Sequence, residues 1–124
     1  MATVLHYYGK YLYLLFYGDS SEMNLTNKIV CVAKLLVKKD CLEEVINLFQ
    51  SMIQLSQKEE GCLSYTLQRD VDNPLAFIFI DYFKDKNAFD FHCAQDYIVE
   101  YFDHRFPQLT DESRLEIYKE VIFN

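Results

Sequence analysis

The sequence predicts an α+β fold in which the elements follow the order β-α-β-β-α-β and the strands form an antiparallel sheet. Three patterns predict it. Residues 28–38 form an apolar run rich in β-branched residues, as in strands that are buried on both faces. Apolar residues then recur with a helical period from Leu42 to Ile53. Two alternating segments follow, and the turn-forming residues Asp70 to Pro74 join them as a hairpin.

The first helix has predicted signals at both ends. Asp40 is expected to cap its start, with Glu43 three residues on as the second half of a capping box. Gly61 is expected to stop the chain from continuing as a helix, because glycine favours helix ends. The stretch between these signals is long enough to cover one face of a sheet.

The remaining elements follow from local signals. The hairpin strands are predicted over 62–69 and 76–84. Asp85 is expected to cap a second helix, and Asp96 a restart of that helix after a break. Residues 107–113 are predicted to form a loop, and Leu115 to Phe123 a last strand.

This order is the ferredoxin-like, split βαβ arrangement, which places both helices on one face of a four-stranded sheet. The other face would be left bare. The third strand nevertheless carries apolar residues on both faces: Phe77, Phe79 and Phe83 alternate with Ile78, Ile80 and Tyr82. We therefore expect the second face to be covered, most simply by the same face of another subunit in a homodimer.

Composition bounds the function. The 124 residues suit one domain, and a net charge of −7 without a basic stripe argues against nucleic acid and anionic membranes. No segment has the roughly 18 apolar residues of a membrane span. The four cysteines form no C-x-x-C pair, so we expect reduced thiols, no metal site and a cytoplasmic protein.

Residues 1–27 are expected to form an aromatic-rich N-terminal extension, and residues 28–124 the ferredoxin-like domain. The segment from Tyr7 to Gly18 contains many tyrosines and does not resemble a signal peptide. Two interpretations stay open. It is an extra ordered element that packs on the domain, which so many aromatic rings favour, or it lies upstream of a true start at Met23.

The motifs E-E-G-C-x-x-Y, D-Y-F-K-D and A-F-D-F-H, in this element order, resemble the antibiotic biosynthesis monooxygenase domain family. The resemblance covers Lys28 to Phe123. It implies a dimeric α/β barrel and oxygenases that use no flavin, metal or haem. The K-E-E-G-C form is similar to bacterial quinol monooxygenases. The segment from Phe77 to His92 is also similar to the enzyme that processes the phosphorylated autoinducer-2 signal.

The resemblance also carries over residue by residue. The family's Glu-Pro-Gly-Cys appears as Glu59 to Cys62, without the proline, and its strand tyrosine appears as Tyr65. Its Glu-x-Trp appears as Asp81 and Phe83, two conservative departures, and its helix histidine appears as His92.

Three residues are the candidate catalytic groups. His92 is expected to act as a general base, or otherwise to anchor its helix to Asp81 or a carbonyl. Asp81 is expected to orient His92, or otherwise to pair with an Arg or Lys across the sheet or the dimer interface. Tyr65 would donate a proton to a substrate oxygen, or satisfy its hydroxyl in the core. Three aromatic side chains are expected to bind the substrate: Phe79, Phe83 and Phe91.

Three functions remain open. The first is a cofactor-independent monooxygenase that acts on a small aromatic or quinol substrate with O₂. The second is a non-catalytic dimeric barrel that binds a small molecule, because a fold alone does not decide function. The third is an isomerase of a small phosphorylated signal, which would need cations such as Lys34, Arg69 or Lys84 near the pocket.

Overall fold

The computed structural model describes residues 23–123. Residues 39–41 form a short 3₁₀ turn and residues 100–105 a π-helical turn. The strands and α-helices are, in chain order, β1 Met23–Val37, α1 Leu42–Gln57, β2 Cys62–Arg69, β3 Ala76–Phe83, α2 Lys86–Cys93, α3 Asp96–Val99, α4 Phe106–Leu109 and β4 Thr110–Phe123. The predicted β-α-β-β-α-β order is confirmed.

The four strands form one antiparallel sheet in the order β2-β3-β1-β4. The alternation predicted for β3 is confirmed, because Phe77, Phe79, Asp81 and Phe83 are buried whereas the residues between them are half-buried or exposed. The buried set faces the helices. The sheet therefore has one face covered by helices and one open face.

The core between α1 and the sheet is built around Phe49, which is fully buried. Its ring makes edge-to-face contacts with Phe79 at 5.0 Å, Phe77 at 5.2 Å and Phe106 at 5.7 Å between ring centroids. Aromatic pairs in this geometry add about 0.5–1.5 kcal/mol each beyond the burial of their area. This cluster fixes α1 and α4 on the same region of the sheet.

Local side-chain hydrogen bonds shape the hairpin and the start of α2. Asp70 Oδ1 accepts hydrogen bonds from the backbone N–H groups of Asp72 at 2.8 Å and Asn73 at 2.9 Å, which closes the predicted turn. Asp85 Oδ1 accepts from the backbone N–H of Ala88 at 2.8 Å. The predicted cap at Asp85 is therefore confirmed.

Three local predictions were wrong. The second helix does restart after a break, but Gln95 rather than Asp96 takes the cap position of α3, without a side-chain hydrogen bond. Asp40 lies within the 3₁₀ turn, and Cys41 takes the cap position of α1 without a side-chain hydrogen bond, so no capping box forms with Glu43. Residues 107–113 are not a loop. Pro107 lies in the first turn of α4, where the missing N–H is tolerated, and β4 already begins at Thr110 because Val37 of β1 extends the pairing to that residue.

β1 begins at Met23, because it pairs with the end of β4 through Met23 to Leu25 and Val121 to Phe123. The expected boundary between residues 27 and 28 thus falls within β1. The two interpretations of the aromatic N-terminal segment concern residues that lie outside the described range. Among residues 23–123, no helix is long and apolar enough to cross a membrane.

Gly61 allows α2 to pack closely on the start of β2. A Cβ atom at this position would lie 2.2 Å from Cβ of Ala88 and 3.2 Å from its Cα. The Gly61 carbonyl also accepts a hydrogen bond from the backbone N–H of Lys84 at 3.0 Å, which fixes the backbone here. The predicted end of the helical segment before Gly61 is confirmed, and the tight contact adds a second reason for glycine.

We expect Gly61→Ala to lower the free energy of unfolding by about 1–3 kcal/mol, the usual cost of overpacking. Urea denaturation monitored by circular dichroism measures this change. The double variant Gly61→Ala/Ala88→Gly removes the opposing methyl group and should recover part of the loss. Equal stability of Gly61→Ala and the wild type would contradict the close contact.

Candidate functional site

A small cavity lies between α2 and the helix-covered face of the sheet. Its volume is about 30 Å³, so it has room for water-sized molecules rather than for an aromatic ring. The ionisable side chains of His92, Tyr65 and Asp81 line this cavity. Its apolar walls include Phe89, Ile98 and Phe102. The structure thus brings the three candidate catalytic residues to one place.

His92 is held by Glu59, which lies in the connection between α1 and β2. Its Nδ1 atom is 2.9 Å from Oε2 and 3.1 Å from Oε1 of Glu59, and both side chains are only 7% exposed. Because the carboxylate accepts, Nδ1 carries a proton. In the neutral ring Nε2 is then the atom with the free lone pair.

Glu59 is itself held by a polar network. The hydroxyl of Tyr97 donates a hydrogen bond to Oε2 of Glu59, and the hydroxyls of Tyr97 and Ser56 lie 2.9 Å apart. Burial and the hydrogen bond to Glu59 raise the pKa of Tyr97, so this side chain stays a proton donor at neutral pH. Two donors from different helices, Nδ1 of His92 and the hydroxyl of Tyr97, therefore bind Oε2 of Glu59. They fix the orientation of its side chain.

Tyr65 remains a phenol inside the site. Burial, followed by the charge of Asp81, raises its pKa well above the usual value, although a hydrogen bond with Ser56 acts in the opposite direction. Its ring lies 5.5 Å from the ring of His92 and 5.6 Å from that of Phe79. Tyr65 can therefore donate a hydrogen bond, but it is not a base at neutral pH.

Asp81 does not hold His92, contrary to the expectation from sequence. Glu59 takes that position. Asp81 is 2% exposed, and its Oδ1 atom has no hydrogen-bond partner among the described residues. Burial, followed by the charge of Glu59, raises the pKa of this carboxyl well above its usual value. A cation partner for Asp81 across the sheet is not found among residues 23–123, and one across a dimer interface stays a prediction.

The three predicted aromatic side chains take different positions. Phe83 is fully buried and its ring lies 4.8 Å from that of His92, which supports the imidazole. Phe79 belongs to the core around Phe49. Phe91 is 57% exposed, and Phe89 lines the cavity instead. Once α2 starts at Lys86, the inward positions are 88, 89, 92 and 93, so residue 91 faces outward.

Sequence reasoning missed Glu59 because the motif E-E-G-C was interpreted only as the end of a helix. The signal was nonetheless present. Two adjacent glutamates precede Gly61, and the structure buries the first whereas the side chain of Glu60 is 96% exposed. The two glutamates differ only in their positions on the turn that follows α1.

The buried cysteines are not reactive nucleophiles, and the described residues form no metal-binding cluster. All four cysteines are free thiols, and burial raises the pKa of Cys93, beside the cavity, to about 12. A buried thiol of this kind is a weak nucleophile. Within residues 23–123 no cluster of three or more His, Cys, Asp or Glu side chains could hold a metal ion.

The family model described as antibiotic biosynthesis monooxygenase matches residues 28–104, which include Glu59, Tyr65, Asp81 and His92. The chain belongs to the antibiotic biosynthesis monooxygenase family. The resemblance inferred from its motifs is confirmed, and so is the ferredoxin-like α+β fold of the single chain.

Two proteins of known sequence are similar to this chain. YcnE of Bacillus subtilis, named as a candidate monooxygenase, is 36% identical over 64 residues, which are 52% of this chain and 67% of that protein. An uncharacterised protein of Synechocystis sp. is 32% identical over 91 residues, 73% of this chain and 62% of that protein. The match thus spans less than two thirds of the length of the Synechocystis relative.

Two solved structures of the same shape share substantial sequence identity with this family member. A protein of Shewanella oneidensis has a TM-score of 0.75 and 37% identity, and the match covers 81% of this chain and 98% of that one. A conserved protein of Methanosarcina mazei Go1 has a TM-score of 0.70 and 32% identity, with 77% and 94% covered.

We expect Glu59→Ala to lower the free energy of unfolding by about 1–3 kcal/mol for each buried donor it leaves unpaired, on His92 and on Tyr97. Glu59→Gln keeps one acceptor oxygen and should cost less. Urea denaturation provides the measurement, and Glu60→Ala is the matched control on the exposed neighbour. If Glu59→Ala and Glu60→Ala were equally stable, the buried network would not be present in solution.

Proposed function

We propose that this family member is a cofactor-independent monooxygenase that acts on a small aromatic or quinol-type substrate with O₂. The observation that carries the proposal is the buried pair of Glu59 and His92 beside a cavity with apolar walls. A carboxylate that fixes the tautomer of an imidazole is the arrangement of an oriented general base. Membership of the family and the name of YcnE support the reaction class.

The proposed chemistry begins with a proton. Nε2 of His92 takes the proton of a substrate hydroxyl, and the electron pair remains on the substrate as a phenolate-type anion. This anion transfers electrons to O₂. One oxygen atom enters the substrate, and the other leaves as water with two hydrogen atoms that the substrate loses, one of which is returned by the His92 imidazolium. A hydroquinone and O₂ thus give a hydroxyquinone and water, and the substrate supplies all the electrons that reduce O₂. Glu59 is a positioning residue, because it stabilises the imidazolium without touching the substrate.

Entry of a substrate requires the cavity to open. Ile98 of α3 and Phe102 of the π-helical turn are both walls, and they come from the same stretch of chain. π-Helical segments occur frequently at functional sites and have weaker backbone regularity than α-helices. We propose that this stretch moves to admit an aromatic ring.

The residues of the same site also bear on the two alternative functions. A non-catalytic binding barrel shares the cavity and differs only in turnover. The isomerase of a phosphorylated signal is disfavoured, because no Lys or Arg of residues 23–123 lines the cavity. Lys34 and Arg69 instead line a separate groove of about 1130 Å³, and Lys84 lies near Glu60 on the surface.

The purified protein should consume O₂ in the presence of a quinol from a panel of quinols and phenols. His92→Ala should lower turnover by about 10²–10⁴-fold, the usual contribution of a general base. Glu59→Gln should lower it less, because the base is retained but less well oriented. An oxygen electrode measures the rates, and His104→Ala, on the exposed part of the π-helical turn, is the control. If His92→Ala retained full activity but lost stability, the histidine would be structural.

We also propose that two chains associate through their open sheet faces. On that face the apolar side chains of β1 and β3 are only half-buried in a single chain, and Tyr82 and Tyr118 are 38% and 47% exposed. An apolar sheet face of this extent usually marks an interaction surface. The dimeric barrel implied by the family resemblance fits it, and the free thiols suit the cytoplasm, a reducing compartment.

Sedimentation at micromolar concentration should show a dimer for the wild type. Ile80→Asp places an unpaired charge at the centre of the open face, opposite Val32 and Thr66 in the sheet, and should yield monomers. Val71→Asp is the control, because Val71 is 96% exposed in the hairpin turn and should leave the dimer intact. A wild type that sediments as a stable monomer would refute the association.

A further inference from the structure

Asp81 is a buried acidic group that takes no part in orienting the general base. Its side chain is 2% exposed and lines the cavity, yet Oδ1 has no hydrogen-bond partner among the described residues. Buried polar groups in proteins are nearly always paired, so each exception calls for an explanation. An acid with no partner, directed at an enclosed space, indicates that its partner is a ligand.

The surroundings of Asp81 favour its protonated form. A buried carboxylate without a cation or hydrogen bonds is costly, and protonation is the cheaper state. Among the described residues, no Lys or Arg lines the cavity. The charged group that acts on Asp81 is the carboxylate of Glu59, which repels a second negative charge. The other titratable groups that line the cavity are His92, Tyr65 and two cysteines.

We propose that Asp81 is a neutral carboxylic acid that donates a hydrogen bond to the ligand oxygen on which negative charge develops. The proposal rests on His92 being the base of the function proposed above. It assigns the two acids opposite roles, since Glu59 is an acceptor that orients the base and Asp81 is a donor that contacts the ligand. Pairs of titratable groups held in different environments commonly divide their roles in this way.

The sheet places a second donor beside Asp81. Tyr65 is directly opposite Asp81 in the register of β2 and β3, and both side chains face the helices. Side chains at such positions have Cβ atoms about 4.5–5.5 Å apart. A phenol and a carboxylic acid therefore form a pair of neutral donors on the sheet side of the cavity, while the base comes from α2.

This geometry specifies a class of ligand. His92 belongs to α2 and Asp81 to β3, so the base and the donor come from the two layers that enclose the cavity. The ligand must therefore carry an acidic proton conjugated to a second oxygen, as in a hydroquinone or an enolisable carbonyl compound. When the O–H or C–H proton moves to Nε2, the electron pair delocalises onto that second oxygen, and Asp81 retains its own proton. Phenols with a single oxygen should bind less well.

The binding of an anion tests the protonation state directly. 2-Hydroxy-1,4-naphthoquinone is a coloured anion at neutral pH with conjugated oxygens, and its affinity can be measured by absorbance titration. Asp81→Ala should weaken its binding by about 10- to 100-fold, because a hydrogen bond to a charged group is lost. Asp81→Asn keeps an N–H donor and should weaken it less. Asp72→Asn, on the hairpin turn, is the control and should leave binding unchanged.

An ionised Asp81 would repel the anion, so both substitutions would then tighten binding, and that result would overturn the proposal. Infrared spectroscopy gives an independent measurement. A carboxylic acid C=O band should persist at pH 7, shift on ¹³C labelling of aspartate and disappear in Asp81→Asn. Labelling of the wild type alone suffices if a variant does not fold. Absence of that band would also overturn the proposal.

These measurements separate this inference from the proposed oxygenase. Neither binding nor the infrared band requires turnover. If no quinol supports O₂ uptake while the anion binds and the band is present, the oxygenase fails and Asp81 remains a donor in a binding site. If O₂ uptake depends on His92 but the band is absent, the oxygenase stands and the role of Asp81 fails.

Discussion

The site depends on the buried contact between Glu59 and His92. It joins the connection after α1 to the last turn of α2, across 33 positions in sequence. Both groups are almost fully removed from water, so each would be costly without the other. Gly61 makes the contact possible, because any side chain there would push α2 away from β2. One glycine and one glutamate thus set where the histidine lies.

This contact also separates the two acids of the site. Glu59 receives hydrogen bonds from His92 and Tyr97, whereas Oδ1 of Asp81 receives none from the described residues. The same burial therefore has opposite chemical results: it fixes an acceptor at one position and favours a neutral acid at the other. The two carboxyl groups differ because the helices supply hydrogen-bond donors to Glu59, whereas the strands supply none to Oδ1 of Asp81.

The two faces of the sheet serve different purposes. The helix-covered face contains the cavity, while the open face carries apolar side chains that are only half-buried. β3 contributes to both, since Asp81 faces the cavity and its neighbours Ile80 and Tyr82 face outward. Strand alternation is the reason that one strand can contribute side chains to both faces without conflict.

The sequence by itself determined the order of elements, the hairpin turn at Asp70, the cap at Asp85 and the two-sided character of β3. Each depends on contacts between near neighbours or on a simple periodicity. Only the tertiary structure decided that Glu59 rather than Asp81 holds His92, and that Phe89 rather than Phe91 lines the cavity. Those outcomes depend on the rotation of α2 about its axis and on its distance from the sheet, which are set by packing across the core and leave no local pattern in the chain.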